Sequence, residues 1–216
     1  DMQLFWTPAS PFTRKVVIAA KELGLWQRID VKPTTWPLDW GYATVPFTAG
    51  LAAANPVARI PTLITDDGVA LGDSTLICQH LNSLATDTRV IPTDGGQWPM
   101  WALYAVADGL LEAQVAMRAE MLRPDAIRSA GFLQKQQDRI RRCFDHIEEH
   151  AVELSVPGGS LPNLAQITAG IACGYQDWRD WLADFRPGRP ALSNWYGEFS
   201  QRPAMRETEP SDTPEA

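Results

Sequence analysis

"TPASPFTRKVVIAA", Thr7 to Ala20, decides how the chain begins to fold. Before it runs "MQLFW", a short apolar stretch that reads as a strand. After it, apolar residues fall at Phe12, Val16, Ala19, Ala20 and Leu23, which is helical spacing. Two prolines flank a lone serine at the hinge between the two. Ser10 reads first as an N-cap, its oxygen accepting a backbone N–H, with Pro11 at the first helical position. A second reading uses the same helix end as a seat for an anion or a thiolate, where free N–H groups and the helix dipole favour negative charge.

Working outward, "RIDVKPT" (Arg28 to Thr34) alternates apolar and polar residues and reads as a second strand. "WPLDWGYATVPFTAGLAAANP" is mostly loop. "IPTLIT", then "DDG", then "VALGD" reads as a hairpin turning at Asp66-Asp67-Gly68. "STLICQHLNSLA" puts Leu76, Ile77, His80, Leu81 and Leu84 on one helical face. The order is a βαβ unit followed by a ββα unit, with the first two strands parallel by the handedness of the crossover. Beyond a polar linker the chain is helical. A long helix spans Trp98 to about Leu122, and a second lies within Asp125 to Val152. A third opens on the capping box of Asn163 and Gln166, and a last helix carries Leu192, Trp195 and Phe199. The expected organisation is an α/β unit over 1–85, a linker over 86–97, an all-helical unit over 98–206, and an acidic, proline-bearing disordered tail over 207–216.

Composition narrows the function. The 216 residues carry a net charge of −7, which argues against nucleic acid or an anionic membrane as partner. No apolar run approaches the ~20 residues of a membrane span, and no signal peptide is visible at the N-terminus. Cys78, Cys143 and Cys173 are an odd set without framework spacing, which fits a reducing compartment; each reads as a buried residue rather than a nucleophile. His80, His146 and His150 show no ligand spacing with the cysteines, so no metal is expected, and the His146/His150 pair reads as part of a solvated helix face.

Three groups of residues, "SPFTRKV" (Ser10–Val16), "NPVARIPTL" (Asn55–Leu63) and "LGDSTLICQHL" (Leu71–Leu81), in this order and spacing, resemble a glutathione transferase of bacterial type. "ADGLLEAQVAMRAE" (Ala107–Glu120) resembles the first long helix of many bacterial members. The resemblance implies a thioredoxin-like N-terminal domain (βαβ-ββα), an all-helical C-terminal domain and a cytoplasmic enzyme. Glutathione would be the co-substrate, a small hydrophobic electrophile the second substrate, and no cofactor is required.

By that resemblance Pro61 follows a cis peptide bond, which lets Ile60 pair its backbone with the glutathione cysteinyl unit. Asp73 takes the γ-glutamyl ammonium and Ser74 its carboxylate. Ser10, with Thr7 as its competitor, donates a hydrogen bond to the sulfur, so that the thiol ionises more readily. Trp36 and Trp40 are further candidates to meet the tripeptide. Trp6, Pro8, Tyr104 and Met117 (with Met121) are candidates for the second-substrate cleft. A homodimer is implied, with α-helical residues around Ala107–Arg118 near its axis, small residues Ala107, Gly109, Ala113 and Ala116 permitting close approach, and Asp108 facing the neighbour's glutathione amine. The alternatives are a non-catalytic interaction protein on the same fold, or a glutathione-dependent isomerase, peroxidase or dehalogenase.

Overall fold

A computed structural model describes residues 1–35 and 48–212. Trp36 and Trp40 lie outside the described residues. Strand β1 (Met2–Trp6) leads through the Thr7–Ser10 hinge into α1 (Pro11–Glu22), and β2 (Ile29–Pro33) returns parallel to β1. A short α2 (Leu51–Ala54) precedes β3 (Thr62–Ile64) and β4 (Ala70–Leu71), and α3 (Ser74–Leu84) closes the unit. The sheet order is β2-β1-β3-β4, with β3 antiparallel to both of its neighbours. The mixed sheet is therefore the one the βαβ-ββα reading requires.

The helical part comprises α4 (Gln97–Met121), α5 (Ala130–Glu149), α6 (Leu164–Trp178), α7 (Pro190–Phe199) and α8 (Pro203–Arg206). Helix α6 is its axis: from Leu164 to Gln176 every residue is buried. Its start is fixed by the capping box, with Asn163 Oδ1 accepting from the Gln166 N–H at 2.9 Å and Gln166 Oε1 accepting from the Asn163 N–H at 2.8 Å. Helix α1 is also enclosed, for Thr13 through Ala20 are buried without interruption. It packs on α3 on one side and on α6 on the other, so the helix that carries Ser10 is the joint between sheet and bundle.

Two expectations need correction here. Leu76 was placed on the buried face of α3 but is 51% exposed, because Ile77, Cys78 and Leu81 turn inward instead. Composition marks 207–216 as disordered, yet residues 207–212 lie back along the molecule. Glu207 pairs with Lys21, Arg14 Nε donates to Thr208 Oγ1 at 3.1 Å, and Arg179 pairs with Asp212 at 3.1 Å. Cations supplied by distant parts of the chain hold a segment that its own composition would leave loose.

Candidate functional site

Ser10 is the N-cap of α1: its Oγ accepts from the Thr13 N–H at 3.1 Å, and its φ of −81° and ψ of 120° are extended, as a cap requires. That bond occupies one lone pair of the hydroxyl. The O–H itself remains available to donate, so capping and donation to a sulfur use different parts of one group.

Sheet register brings the other site residues to the same end. Phe5 is opposite Thr62, so the chain enters β3 beside the C-terminal end of β1. Leu63 is opposite Leu71 on the antiparallel β4, so β4 leaves the sheet at that end too and delivers Asp73 and Ser74 there. The Ile60–Pro61 peptide is cis. Among the described residues the Ile60 N–H and C=O make no backbone bond, so both groups are free to pair with an extended peptide.

The approach to Pro61 is pinned from behind. Asn55 Nδ2 donates to Thr62 Oγ1 at 3.0 Å, Thr62 Oγ1 donates to the Arg59 carbonyl at 2.7 Å, and Asn55 Oδ1 accepts from the Val57 N–H at 3.0 Å. Gly72 lies so close to this asparagine that a Cβ there would be 2.5 Å from Asn55 Nδ2. Asp73 is the N-cap of α3, with one carboxylate oxygen accepting from the Thr75 and Leu76 N–H groups at 2.8 and 3.0 Å. Its other oxygen is unspent among the described residues, and the side chain is exposed.

Beneath Ser74 lies a group that sequence reasoning missed. Lys15 is fully buried. Its three ammonium protons have three acceptors: Ser74 Oγ at 3.1 Å, Tyr104 Oη at 2.8 Å and Asp108 Oδ1 at 2.5 Å. Burial by itself pulls this ammonium down, but the Tyr104 and Asp108 oxygens outweigh it and hold Lys15 above its ordinary value. Burial pushes the Tyr104 phenol up, so Tyr104 is neutral at pH 7. Its oxygen lies 2.6 Å from Thr75 Oγ1. The ammonium occupies a lone pair of Ser74 Oγ, which leaves the Ser74 O–H available as a donor. Lys15 was visible in principle: Phe12, Lys15, Val16 and Ala19 share one helical stripe, and a lysine within an apolar stripe needs a partner.

The residues expected to line one second-substrate cleft divide into three places. Trp6 and Pro8 line a cavity of about 460 Å³ together with Thr7, Trp26, Lys21 and the tail residue Glu207. Tyr104 lines a separate cleft of about 590 Å³ on the α3–α4 face, with Trp98, Trp101 and Asp108. Met117 is 2% exposed and belongs to the core. Helical spacing does not distinguish a cleft-facing methionine from a core one, and here the bundle takes it.

Asp108, expected to face a neighbouring subunit, has its carboxylate engaged by Lys15 of its own chain. The small-residue stripe also divides, because Ala107 and Ala113 are fully buried within the chain while Gly109 and Ala116 stay partly open. Burial pushes Cys78 up to about 12, Cys173 well above its ordinary value, and Cys143 upward as well, which disfavours the thiolate at each.

A family model of the glutathione S-transferase N-terminal domain matches residues 9–84, the segment that contains Ser10, Lys15, Ile60, Pro61, Asp73 and Ser74. A glutathione transferase family member from Pseudomonas fluorescens Pf-5, crystallised with bound glutathione, is 34% identical, with 98% of this chain and 100% of that chain covered and a TM-score of 0.89. The chain belongs to the glutathione transferase family. A second crystal structure of a Pseudomonas fluorescens Pf-5 transferase family member holds S-(propanoic acid)-glutathione, at 33% identity, 98% and 100% coverage and a TM-score of 0.84. Among curated proteins, the uncharacterised GST-like protein YibF of Escherichia coli is 28% identical over 217 residues, 97% of this chain and 98% of that protein. This transferase thus has the thioredoxin-like sheet and the helical bundle expected of it, and no helix among the described residues is long and apolar enough to cross a membrane.

Proposed function

We propose that this transferase binds glutathione across the end of its sheet and uses Ser10 to hold the sulfur as a thiolate for attack on a soft, hydrophobic electrophile. The observation that carries the reading is the convergence there of the N-terminus of α1, the unpaired backbone of Ile60 before cis-Pro61, and the Asp73–Ser74 cap of α3, with Ser74 oriented from below by Lys15. Each part of the tripeptide has a matching group. The cysteinyl unit pairs with Ile60 as an added strand. The γ-glutamyl ammonium meets the spare Asp73 oxygen, and its carboxylate meets the Ser74 hydroxyl and the first N–H groups of α3.

A free thiol near pKa ~8.5 is mostly protonated at neutral pH. The Ser10 O–H and the dipole of α1 favour the anion instead. The sulfur lone pair then forms the S–C bond, and the electrophile's displaced pair leaves with its leaving group or takes a proton from solvent. The S-substituted glutathione held by the Pseudomonas relative is a thioether of the kind such a step produces. A homodimer fits the α3–α4 face, where Leu76 and Trp98 stand 51% and 70% exposed beside the open cleft.

The test is Ser10→Ala, with glutathione affinity measured by calorimetry and the bound thiol titrated spectrophotometrically. Binding should survive, since the peptide contacts lie elsewhere. One hydrogen bond to a charged sulfur, about 1.5–3 kcal/mol, should vanish, for a rate loss of roughly ten- to a hundredfold and a thiol pKa that rises toward its solution value. A stability loss of about 1 kcal/mol with thiol pKa and rate unchanged would reduce Ser10 to a cap. A collapse in Thr7→Ala instead would assign the sulfur to the other hydroxyl.

A further inference from the structure

The last turn of α5 reads Asp145-His146-Ile147-Glu148-Glu149-His150, and its polar side chains are unequally employed. Asp145 receives Arg189 at 2.7 Å, and Glu148 accepts from the Ala191 and Leu192 N–H groups, so both serve to dock α7. Ile147 is in the core. His146, Glu149 and His150 remain. Their ligand atoms all lie within 4.8 Å of one another, on a surface that is half-buried at the imidazoles and exposed at the carboxylate. The two rings stack with centroids 4.1 Å apart. Among the described residues neither imidazole has a carboxylate ion pair, and the Glu149 carboxylate makes no hydrogen bond or ion pair.

We infer that His146, Glu149 and His150 form a binding site for one divalent late first-row metal ion, of the zinc, nickel or copper type. Three features beyond proximity carry this. First, His150 Nδ1 lies 2.8 Å from the His146 carbonyl oxygen. A carbonyl only accepts, so Nδ1 carries the proton and Nε2 keeps a lone pair for a metal. A ring N–H anchored on a backbone carbonyl is the usual support of a metal-bound histidine. Second, His150 is the C-cap of α5, where the free carbonyl ends of the helix make the potential negative and favour a cation. Third, the donor set of two imidazoles and a carboxylate suits borderline ions and not calcium or magnesium, which take oxygen ligands.

Ligand bonds of about 2.0–2.1 Å require the three donors to draw closer than they stand. The exposed Glu149 side chain can rotate to do so, and water completes the coordination. The ion also sits on the turn that docks α7, so its binding should stiffen that junction.

The experiment is calorimetric titration of tag-free protein with zinc, with the melting temperature followed in parallel. One saturable site is expected, with a higher melting temperature in zinc. His146→Ala and His150→Ala should each weaken binding at least as much as the ~10–100-fold that loss of an outer-shell support costs, and Glu149→Gln should weaken it less. Both imidazoles are half-buried and stacked, so each variant is compared with its own metal-free melting temperature, and His146→Gln and His150→Gln serve where an alanine variant is destabilised without metal. Cys143 lies one turn away, and Cys143→Ser should bind zinc unchanged. Absence of saturable binding up to millimolar zinc would overturn the inference. So would an affinity indifferent to both histidines, or one lost with Cys143.

Discussion

Replacing Asp108 by Asn tests the buried ammonium beneath the proposed glutathione site. Lys15 is wholly inaccessible and Asp108 is 23% exposed, so the pair is shielded and little of its interaction is lost to water. Removing one partner of such a pair costs about 3–5 kcal/mol, because the other charge stays buried. Asn retains an acceptor, and Tyr104 and Ser74 still receive two of the three protons, so the lower end, about 3 kcal/mol, applies. For a chain of this size that is a fall in Tm of roughly 6–12 °C.

The pH dependence gives a sharper criterion. In the parent, Lys15 is held above its ordinary value of 10.5, so its contribution is complete below that pH and lost as pH rises through the folded value. In Asp108→Asn, Tyr104 remains but the carboxylate no longer helps to outweigh burial, so the folded value falls relative to the parent's. The folded variant then sheds this proton at lower pH than the folded parent, and the variant's stability deficit should narrow as pH rises through its lowered value. Urea unfolding at several pH values measures both effects. A loss below about 1 kcal/mol, or parallel pH profiles, would mean that the ammonium does not depend on Asp108. Glutathione affinity should fall as well, since Ser74 loses part of what orients it.

Gly72→Ala would place a methyl group 2.5 Å from Asn55 Nδ2, and the buried Asn55 is tied to Thr62 and Val57. A cost of about 1–3 kcal/mol is expected, with weaker glutathione binding by calorimetry as the Ile60 loop shifts. Asn163→Ala breaks the capping box of α6 and should lower Tm by about 2–4 °C, the equivalent of ~1 kcal/mol, with glutathione kinetics unchanged. Ending the chain after Arg206 removes Thr208, Glu207 and Asp212 from Arg14, Lys21 and Arg179. Denaturant unfolding should then show a loss of about 1–3 kcal/mol, where removal of a disordered tail would show none.

Local signals were legible. The Ser10-Pro11 helix start, the Asp66–Gly68 turn, the Asp73 cap and the Asn163/Gln166 box are each written within a few residues and settled by short-range geometry. The mixed character of the sheet followed from the parallel crossover and the antiparallel hairpin, while the strand order β2-β1-β3-β4 did not. Less legible was whatever depends on a partner far along the chain. Lys15 meets oxygens 59, 89 and 93 positions away, and the acidic tail meets cations from α1 and the end of α6. Facing was the third gap. Tyr104 and Met117 share a helix, yet one hydroxyl reaches Lys15 while the other side chain is consumed by the bundle core.

Helix α1 holds Ser10 at its tip while its two adjacent cations are fastened in opposite directions, Arg14 to the Met205 carbonyl and Thr208, Lys15 to α3 and α4. The tilt of the helix, and with it the direction of the Ser10 hydroxyl, is thus set by anchors elsewhere in the chain. On the function proposed above, thiol reactivity would therefore answer to the periphery: a change at the C-terminal strap or in the middle of α4 would re-aim the serine while leaving Ser10 itself as it was.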